Sequence, residues 1–370
     1  MKSKLKYLVA FLLKNIMNPI NNIIPKKNRI VLYSNLGFRD NVLSLYNFLI
    51  KEHINNKFEI IIISNHFYQS TKSELNVKKV GPFNGLYYFL TSRYFFYCFG
   101  KYPIKPSSAQ VVVNLGHGMP IKKIGNSELK YKNINYNYFD FVLSYSDFFD
   151  SIIEESFSAS SSQIIHTGAP RNDELFNNKK SNVRNIIWMP TYQEHRSGSL
   201  LNPFNTKNDI QKLDSFLKRK NCILYIKLHP LETDTVRISS TSSNIQLIND
   251  KEILSQFTSL YDFLAETWGL ITDFSSVSID YLLTDNPIAY ILNDKDSFAS
   301  ERGFNFDSLS DVTAGPIIQD KSDFFDFIEL VCGEIDDKFK LKRDVLKHTF
   351  YEYFDNHSSE RLLKKVGIKK

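Results

Sequence analysis

The stretch Phe58–Ser64 has the sequence FEIIIIS, in which four consecutive isoleucines form an apolar run. Continuous β-branched runs of this kind are typical of strands that are buried on both faces of a parallel sheet. Similar runs predict strands at 29–34, 58–64, 94–99, 110–115, 140–144, 163–167, 185–190, 222–228, 245–248, 268–272 and 287–292. The intervening segments are long enough for crossover helices, such as 40–52 and 250–257. The alternation predicts an α/β fold of the doubly wound kind.

The length of the chain, 370 residues, exceeds what one ordinary core accommodates and predicts two domains. The polar stretch 176–184, FNNKKSNVR, is the best interdomain linker. We therefore predict an N-terminal α/β domain at 29–178, a C-terminal one at 185–335 and final helices at 336–370. A hydrophobic fraction of 42% and a charged fraction of 23% are those of a soluble globular protein.

The segment 1–28 is basic and amphipathic. Residues 1–29 contain seven lysines and arginines and no acidic residue, and apolar side chains recur at helical spacing from Leu5 to Ile16. Lys14 and Pro19 make the run too short and too polar to span a bilayer, and no cleavage site of a signal peptide follows it. One interpretation is a helix that lies on anionic lipid, and the other is a terminal helix packed on its own domain.

The sequence lacks the motifs of several classes of functional site. The three cysteines form no CxxC pair, which argues against structural zinc and disulfides and favours a reducing compartment. The sequence contains no GxxxxGK[ST], GxGxxG, HExxH or GxSxG motif. The DxD spacing at 294–296 has a lysine between its carboxylates, so we expect no metal. The positive charge is concentrated in the terminal arm, so we expect no nucleic-acid partner.

A small polar turn, Asp273-Phe274-Ser275-Ser276, follows the predicted strand WGLIT and precedes a segment with one helical face. The serines are therefore expected at the helix N-terminus, where free N–H groups and the helix dipole attract an anion. The alternative is ordinary helix capping. His229 lies in LHP directly after another predicted strand, and Thr191 follows a third. Together with the serines, these groups could stabilise charge on a departing phosphate, although a histidine at a strand end is also a common structural residue.

A second histidine, His117, is flanked by glycines in GHGMP, after the run QVVVNL. An imidazole in this position is suited to accept a proton from an acceptor hydroxyl, and the alternative is a loop histidine without a role. Gly118 allows a close backbone approach, and Lys122 and Lys123 are candidates for contact with a polyanionic acceptor, or are simply solvated lysines.

Arg171 follows the last predicted strand of the first half, in TGAPRNDEL. A guanidinium there could hold a phosphate or carboxylate with two hydrogen bonds. Asn172 and Asp173 either assist it or cap the next helix.

Taken in order, GHGMPIKKIG, TGAPRNDEL, MPTY, KLHP and TDFSSVSIDYLLTDNPIAYI resemble the CDP-glycerol glycerophosphotransferase family, the teichoic acid primases and polymerases. The resemblance runs from about Val111 to Arg361. It implies a GT-B-like fold, in which two Rossmann-like domains face a cleft, with the acceptor on the first domain and a CDP-alditol donor on the second. It also implies work at the cytoplasmic face of the bacterial membrane as a peripheral protein.

The resemblance further implies individual roles. His117 resembles the catalytic base of the family, and His229 resembles a catalytic histidine at the donor pyrophosphate. Gly118, Lys122 and Lys123 are then acceptor-side residues. The residues that resemble donor-binding positions are Thr191, Arg171, Asp273, Ser275, Ser276, Gly315, Pro316 and Arg361. The chain departs from the family pattern at two positions. In the tail YFDNHSSER, Asn356 stands where the family has glycine, and in TGAPRNDEL, Ala169 replaces a bulkier residue.

The expected function is transfer of an alditol phosphate, glycerol phosphate first, from a CDP-alditol to a hydroxyl of a lipid-linked or growing cell-surface polymer, with release of CMP. No cofactor is expected beyond the CDP-alditol substrate. The expected partners are the CDP-alditol donor, a lipid-linked glycan or polyol-phosphate acceptor and an anionic membrane surface. Two alternatives are a nucleotide-sugar glycosyltransferase of surface polysaccharide synthesis and a non-catalytic nucleotide-binding protein at the membrane.

Overall fold

The computed structural model describes residues 16–67, 74–177, 180–190, 202–227, 242–292, 295, 299–300 and 302–369. The strands are β1 (Lys27–Ser34), β2 (Glu59–Ser64), β3 (Val77–Val80), β4 (Ser92–Phe99), β5 (Val111–Asn114), β6 (Phe141–Ser144), β7 (Ile164–His166), β8 (Arg184–Met189), β9 (Cys222–Ile226), β10 (Ile245–Leu247), β11 (Gly269–Thr272) and β12 (Ile288–Tyr290). Each predicted strand is thus confirmed, with small shifts at the ends.

The helices are α1 (Asn18–Ile23), α2 (Asp40–Lys51), α3 (Pro82–Thr91), α4 (Asp147–Phe157), α5 (Lys207–Arg219), α6 (Asp250–Gln256), α7 (Leu260–Glu266), α8 (Val277–Tyr281), α9 (Lys321–Cys332), α10 (Lys340–Phe350) and α11 (Ser358–Lys365). Short 3-10 helices join them, among them Pro170–Phe176. The predicted helices at 40–52 and 250–257 correspond to α2 and α6.

Both sheets are parallel and have the strand order of a Rossmann fold. The first has seven strands in the order β3-β2-β1-β4-β5-β6-β7, and the second has five in the order β10-β9-β8-β11-β12. In each sheet the order reverses beside its first strand, between β1 and β4 and between β8 and β11. Ligands of such folds bind outside the carboxyl ends of the strands at this switch point.

The cores follow from the sequence pattern. Ile60, Ile61, Ile62 and Ile63 of β2 are fully buried, as expected for a strand that is covered on both faces. The core of the second sheet is formed by apolar side chains of β8, β9 and β11 together with those of α5 and α9. Each unit therefore has a hydrophobic core of its own.

The chain divides into two compact units, one of Met1–Met119, Ile124–Asp173 and Asp355–Lys370, and one of Pro120–Lys123 and Glu174–Phe354. This division differs from the predicted boundaries at 178, 185 and 336. The predicted C-terminal segment 336–370 is divided between the two units. Its helix α11 bonds to residues of the first unit, whereas Lys347 of α10 donates to Asp285 of the second unit, with 2.5 Å between Nζ and Oδ1. Sequence spacing carries no signal for these long-range contacts.

Candidate functional site

The turn of His117 follows β5 in the first unit and is built by backbone geometry. Gly116 and Gly118 have φ angles of 61° and 109°, which glycine adopts without strain. A Cβ on Gly116 would meet nothing within 4 Å, so the positive φ, and not a close approach, is what favours glycine there. The His117 side chain is exposed, and its ring lies 5.0 Å from the ring of Phe99. An exposed imidazole on a fixed turn is suited to accept a proton from a substrate.

Arg171 forms an ion pair within the first unit, and its predicted contact with the donor stays a prediction. Its side chain is buried, and its Nη1 lies 2.8 Å and 2.9 Å from the two carboxylate oxygens of Asp40. Arg171 also belongs to the first unit, whereas the resemblance assigns the donor to the second domain. The geometry therefore supports a structural role for this arginine.

Asp173 caps a helix, but not the next one along the chain. Its carboxylate accepts hydrogen bonds from the backbone N–H groups of Ser358 and Ser359, at 2.8 Å and 2.9 Å, at the start of α11. Burial raises the pKa of Asp173, and these hydrogen bonds oppose that rise. The start of α11 is thereby fixed to the turn Pro170-Arg171-Asn172-Asp173, here called the PRND turn.

Arg361 completes the attachment of the tail. Its Nε donates to the carbonyl oxygen of Thr167 at 3.0 Å, and its Nη1 lies 2.8 Å from Asp355. Gly168 has a φ of 72°, and a Cβ there would lie 2.4 Å from Ser358 Oγ, so glycine is needed for the tail to pack. Like Arg171, Arg361 belongs to the first unit, and its guanidinium bonds to groups of the protein. A contact of Arg361 with the donor stays a prediction.

The turn Asp273-Phe274-Ser275-Ser276, here called the serine turn, lies at the predicted strand-to-helix junction, which is at the switch point of the second sheet. β11 ends at Thr272, whose Oγ1 donates to the carbonyl oxygen of Met189 at the end of β8, at 2.8 Å. Ser276 is the residue before α8, and neither it nor Ser275 is fully buried. The turn is therefore at the carboxyl ends of the two strands between which nucleotide ligands of Rossmann folds bind.

Lys122 and Lys123 belong to the second unit, whereas the sequence predicts them on the acceptor-side domain, and their contact with the acceptor stays a prediction. Lys122 forms an isolated antiparallel bridge with Phe304, and the Lys123 N–H donates to the Gly303 carbonyl oxygen at 3.1 Å. The Asn305 side chain donates to the carbonyl oxygens of Pro120 and Lys122, at 2.9 Å and 3.0 Å. The short segment Pro120–Lys123 is thus held by Gly303–Asn305.

This pairing brings a cation to the serine turn. The ring of Phe304 lies 5.0 Å from that of Phe274, inside the turn. Burial lowers the pKa of Lys122, while the charge of Asp273 raises it and that of Arg302 lowers it. The charges of both Asp273 and Arg302 therefore act on Lys122. The serine turn thus has basic groups near it, as the binding of an anionic ligand requires.

Gly315 and Pro316 support β12. The Tyr290 N–H donates to the carbonyl oxygen of Pro316 at 2.9 Å. A Cβ on Gly315 would lie 1.6 Å from the carbonyl oxygen of Ile288, so only glycine permits this approach. The structure thus explains Gly315 by packing, and its predicted role in donor binding stays a prediction.

Four predictions lie outside the described residues: those for Thr191, for His229, for the carboxylates of the DxD spacing at 294–296 and for the helix from Leu5, of which only Ile16 is described. Within the described part of the chain, one group of possible metal ligands occurs, formed by Asp147, Asp150 and His166. Their ligand atoms lie within 4.8 Å of one another, and His166 Nε2 is 2.9 Å from Asp150. Two of the three are acids in the first turn of α4, where they also complement the helix dipole.

Sequence reasoning missed Asn41, Phe99 and Arg302. Asn41 lies at the start of α2, after the loop that follows β1. Rossmann folds often bind ligands at this loop, so the position of Asn41 in the sequence was a signal of a role in the site. Arg302 has no motif of its own, and Gly303, with a φ of 81°, is the local sign of a turn there. The contacts of all three are made by residues far away in sequence.

Two parallel Rossmann-type sheets, one with an exposed histidine turn and one with a serine turn at its switch point, define a GT-B-like transferase. A family model for CDP-glycerol:poly(glycerophosphate) glycerophosphotransferases matches residues 16–367. The chain belongs to this family and is an enzyme of the phosphotransferase type. The predicted fold class, enzyme class and function as a glycerophosphotransferase are confirmed at this level.

The relatives agree with the family. The chain is 26% identical over 282 residues to a teichoic acid glycerol-phosphate transferase of Staphylococcus aureus (strain NCTC 8325 / PS 47), covering 68% of this chain and 69% of that protein. It is 24% identical over 238 residues to the teichoic acid glycerol-phosphate primase of Bacillus subtilis (strain 168), covering 62% of this chain and 57% of the primase. The chain thus spans little more than half the length of that primase. Other curated relatives include a teichoic acid ribitol-phosphate primase of Bacillus spizizenii (strain ATCC 23059 / NRRL B-14472 / W23).

The fold is also that of a solved structure. The wall teichoic acid polymerase TagF superposes with a TM-score of 0.75 and covers 99% of this chain and 97% of the polymerase chain, at 19% identity. At this identity the likeness concerns the fold alone.

Proposed function

We propose that this enzyme transfers glycerol phosphate from CDP-glycerol to a terminal hydroxyl of a lipid-linked or growing teichoic-acid-like polymer and releases CMP. The observation that carries the proposal is the serine turn at the switch point of the second sheet, together with Lys122 beside it. Helix N-terminal N–H groups, hydroxyls and a cation are the groups that bind a diphosphate.

In the proposed reaction the acceptor hydroxyl attacks the β-phosphorus of the donor. His117 takes the proton from this hydroxyl, the new O–P bond forms, and the bond from phosphorus to the oxygen of CMP breaks. Lys122 and the hydroxyls of Ser275 and Ser276 then face the negative charge that grows on the leaving phosphate. His229 and Thr191 are proposed to act on the same diphosphate.

The test is a panel of radiolabelled donors, CDP-glycerol, CDP-ribitol and a nucleotide sugar, each offered with a lipid-linked glycan or polyol-phosphate acceptor. The proposal expects label transfer from CDP-glycerol, one CMP for each unit added, and a product mass that rises by glycerol phosphate units. Transfer from the nucleotide sugar alone would contradict it in favour of a glycosyltransferase. Donor binding without turnover would favour a nucleotide-binding protein.

We also propose that the reaction needs no metal ion or other cofactor. Basic and hydroxyl groups around Asp273 supply the neutralisation that a metal would otherwise supply. Activity should persist in a chelator, and the variants Asp147→Asn and His166→Gln should remain active. A strict requirement for Mg²⁺ or Mn²⁺ would contradict this part of the proposal, and a need for a higher ion concentration in the His166 variant would assign the ion to the cluster on α4.

The proposed place of work is the cytoplasmic face of the bacterial membrane. Among the described residues, no helix has the length and apolarity needed to cross a bilayer. Ile16, Ile20 and Ile23 are exposed, at 51%, 38% and 81%, and follow helical spacing at α1. They continue the apolar stripe predicted from Leu5, and basic side chains near an anionic surface add about 1 kcal/mol each.

The other side of α1 packs on its own unit, which fits the second interpretation of this segment for residues 18–23. Asn21 is fully buried and donates to the carbonyl oxygen of Lys105 at 2.9 Å. A deletion should therefore stop at residue 15. Sedimentation with anionic vesicles should fall for this deletion and for Ile20→Ser with Ile23→Ser, and not for the control Leu341→Ser, which lies exposed on α10. Equal sedimentation of all four proteins would place the membrane contact elsewhere.

A further inference from the structure

Asn41 connects the turn of His117 to the PRND turn. Its Nδ2 donates to the carbonyl oxygens of Leu115 and Gly116, at 3.0 Å and 3.2 Å. Its Oδ1 accepts from the backbone N–H of Arg171 at 3.1 Å. The side chain is fully buried, so these bonds are shielded from water.

The residues around Asn41 restrict where it can lie. Asp40 begins α2 with a φ of 61°, an unusual value for a residue with a side chain. Its carboxylate accepts from the Asn41 N–H at 2.7 Å and also binds Arg171. This backbone conformation costs free energy, and the buried ion pair is what maintains it. The carboxamide of Asn41 is therefore directed at the histidine turn by a rigid support.

The imidazole itself has a second support. The ring of Phe99 lies 5.0 Å from the His117 ring at 31°, and the Arg39 guanidinium carbon lies 5.5 Å from the centre of the Phe99 ring. Arg39, Asp40 and Asn41 are consecutive, and Phe99 ends β4. The residues at the start of α2 thus support both the backbone and the ring of the histidine turn.

We propose that Asn41 is a positioning residue for transfer, which holds the backbone next to His117 so that the imidazole stands where the acceptor hydroxyl loses its proton. This inference rests on the proposed function of His117 as the base. A general base acts only within hydrogen-bond distance of the proton that it takes, so a small movement of this turn reduces turnover. The bonds of Asn41 go to groups of the first unit, whereas the donor is bound by the serine turn of the second unit in the proposed function, so donor affinity should not change.

The test compares Asn41→Ala with the matched control Asn21→Ala. Both residues are fully buried asparagines of the first unit whose Nδ2 donates to a backbone carbonyl oxygen, but Asn21 bonds to Lys105 and Gln110. Asn41→Ala should lower kcat by about 10- to 100-fold, the scale of a misplacement near 1 Å, with an unchanged KM for CDP-glycerol. Asn21→Ala should retain the wild-type kcat. Circular dichroism and unfolding in urea show whether each variant is folded, and calorimetric binding of CDP-glycerol reports donor affinity.

A second variant, Asn41→Asp, keeps the shape and the acceptor for the Arg171 N–H but loses the donor to Leu115 and Gly116. It should lose kcat to a similar extent, and the acid limb of its kcat–pH profile should move, which a purely structural defect would not cause. In a double-mutant cycle, Asn41→Ala should add no further loss to His117→Ala. An additive loss, or a wild-type kcat and pH profile in either Asn41 variant, would overturn the positioning role.

Failure of the proposed role of His117 can be distinguished from failure of the proposed role of Asn41. Transfer retained by His117→Ala would contradict the proposed base and the inference built on it. Loss of transfer in His117→Ala, combined with wild-type turnover in the Asn41 variants, would contradict the positioning role alone.

Discussion

In the first unit, Arg171 Nη1 bonds to both carboxylate oxygens of Asp40, at 2.8 Å and 2.9 Å, and the two residues are 131 positions apart in the sequence. The pair joins the start of α2 to the PRND turn. An arginine that the sequence motif favours as a phosphate ligand thus stabilises the support of the histidine turn.

Breaking this pair should cost stability and not donor binding. Arg171→Gln leaves the Asp40 carboxylate without its buried partner, and we expect a loss of about 3 kcal/mol in the free energy of unfolding in urea. The control is Lys78→Gln, because Lys78 is exposed and pairs with Glu59 at 2.7 Å. That change should leave the free energy of unfolding close to the wild-type value, because exposed ion pairs contribute little. A raised KM for CDP-glycerol in folded Arg171→Gln would restore the predicted donor contact.

Removing the two hydroxyls of the serine turn should weaken donor binding. In Ser275→Ala with Ser276→Ala, hydrogen bonds to a charged diphosphate are lost in the ground state and in the transition state. We expect the KM for CDP-glycerol to rise by roughly 10- to 100-fold, with a fall in kcat. Ser255→Ala, at an exposed position of α6, is the control. An unchanged donor KM in the double variant would count against a phosphate site at this turn.

The charge of Lys122 should make donor binding depend on pH. Burial lowers the pKa of Lys122, so its ammonium loses its proton below the usual lysine value of about 10.4. As the pH rises through the lowered pKa, the cation is lost and the KM for CDP-glycerol should increase. Lys122→Arg stays charged throughout and should show a flat profile. Parallel profiles for the two proteins would show that Lys122 does not bind the donor.

Gly315 should be essential for folding of the second unit. In Gly315→Ala the added Cβ would lie 1.6 Å from the Ile288 carbonyl oxygen, which forces the backbone beside β12 to move. We expect a loss of about 3 kcal/mol in the free energy of unfolding. Gly81→Ala is the control, since a Cβ there meets nothing within 4 Å. Wild-type stability of Gly315→Ala would show that this segment is not held against β12 as described.

The sheets could be predicted because their strands are continuous apolar runs. The exception is β3, Val77–Val80, with the sequence VKKV. It lies at the edge of its sheet, and edge strands carry lysines that prevent pairing with other chains, so the apolar pattern is absent. The strand-to-helix junction at Ser275 and Ser276 was also predictable, because apolar period and capping residues are local signals.

The placement of Lys122 and the role of Asn41 could not be predicted. Lys122 follows the histidine turn in sequence, but its segment pairs with Gly303–Asn305 and belongs with them to the second unit. Asn41 bonds to groups 74, 75 and 130 positions away, and a single asparagine at a helix start is an ordinary capping pattern. Contacts at such separations depend on the tertiary fold and leave no periodicity in the sequence.

The central claim is that His117 is the base that acts on the acceptor, while the donor is bound by the second unit. The most direct measurement is transfer of radiolabelled glycerol phosphate by His117→Ala, with the Kd for CDP-glycerol determined by calorimetry on the same protein. We predict a loss of about 10²- to 10⁴-fold in the rate of transfer, the usual contribution of a general base, and an unchanged Kd. Wild-type transfer, or a collapse of donor affinity with the loss of transfer, would contradict the account.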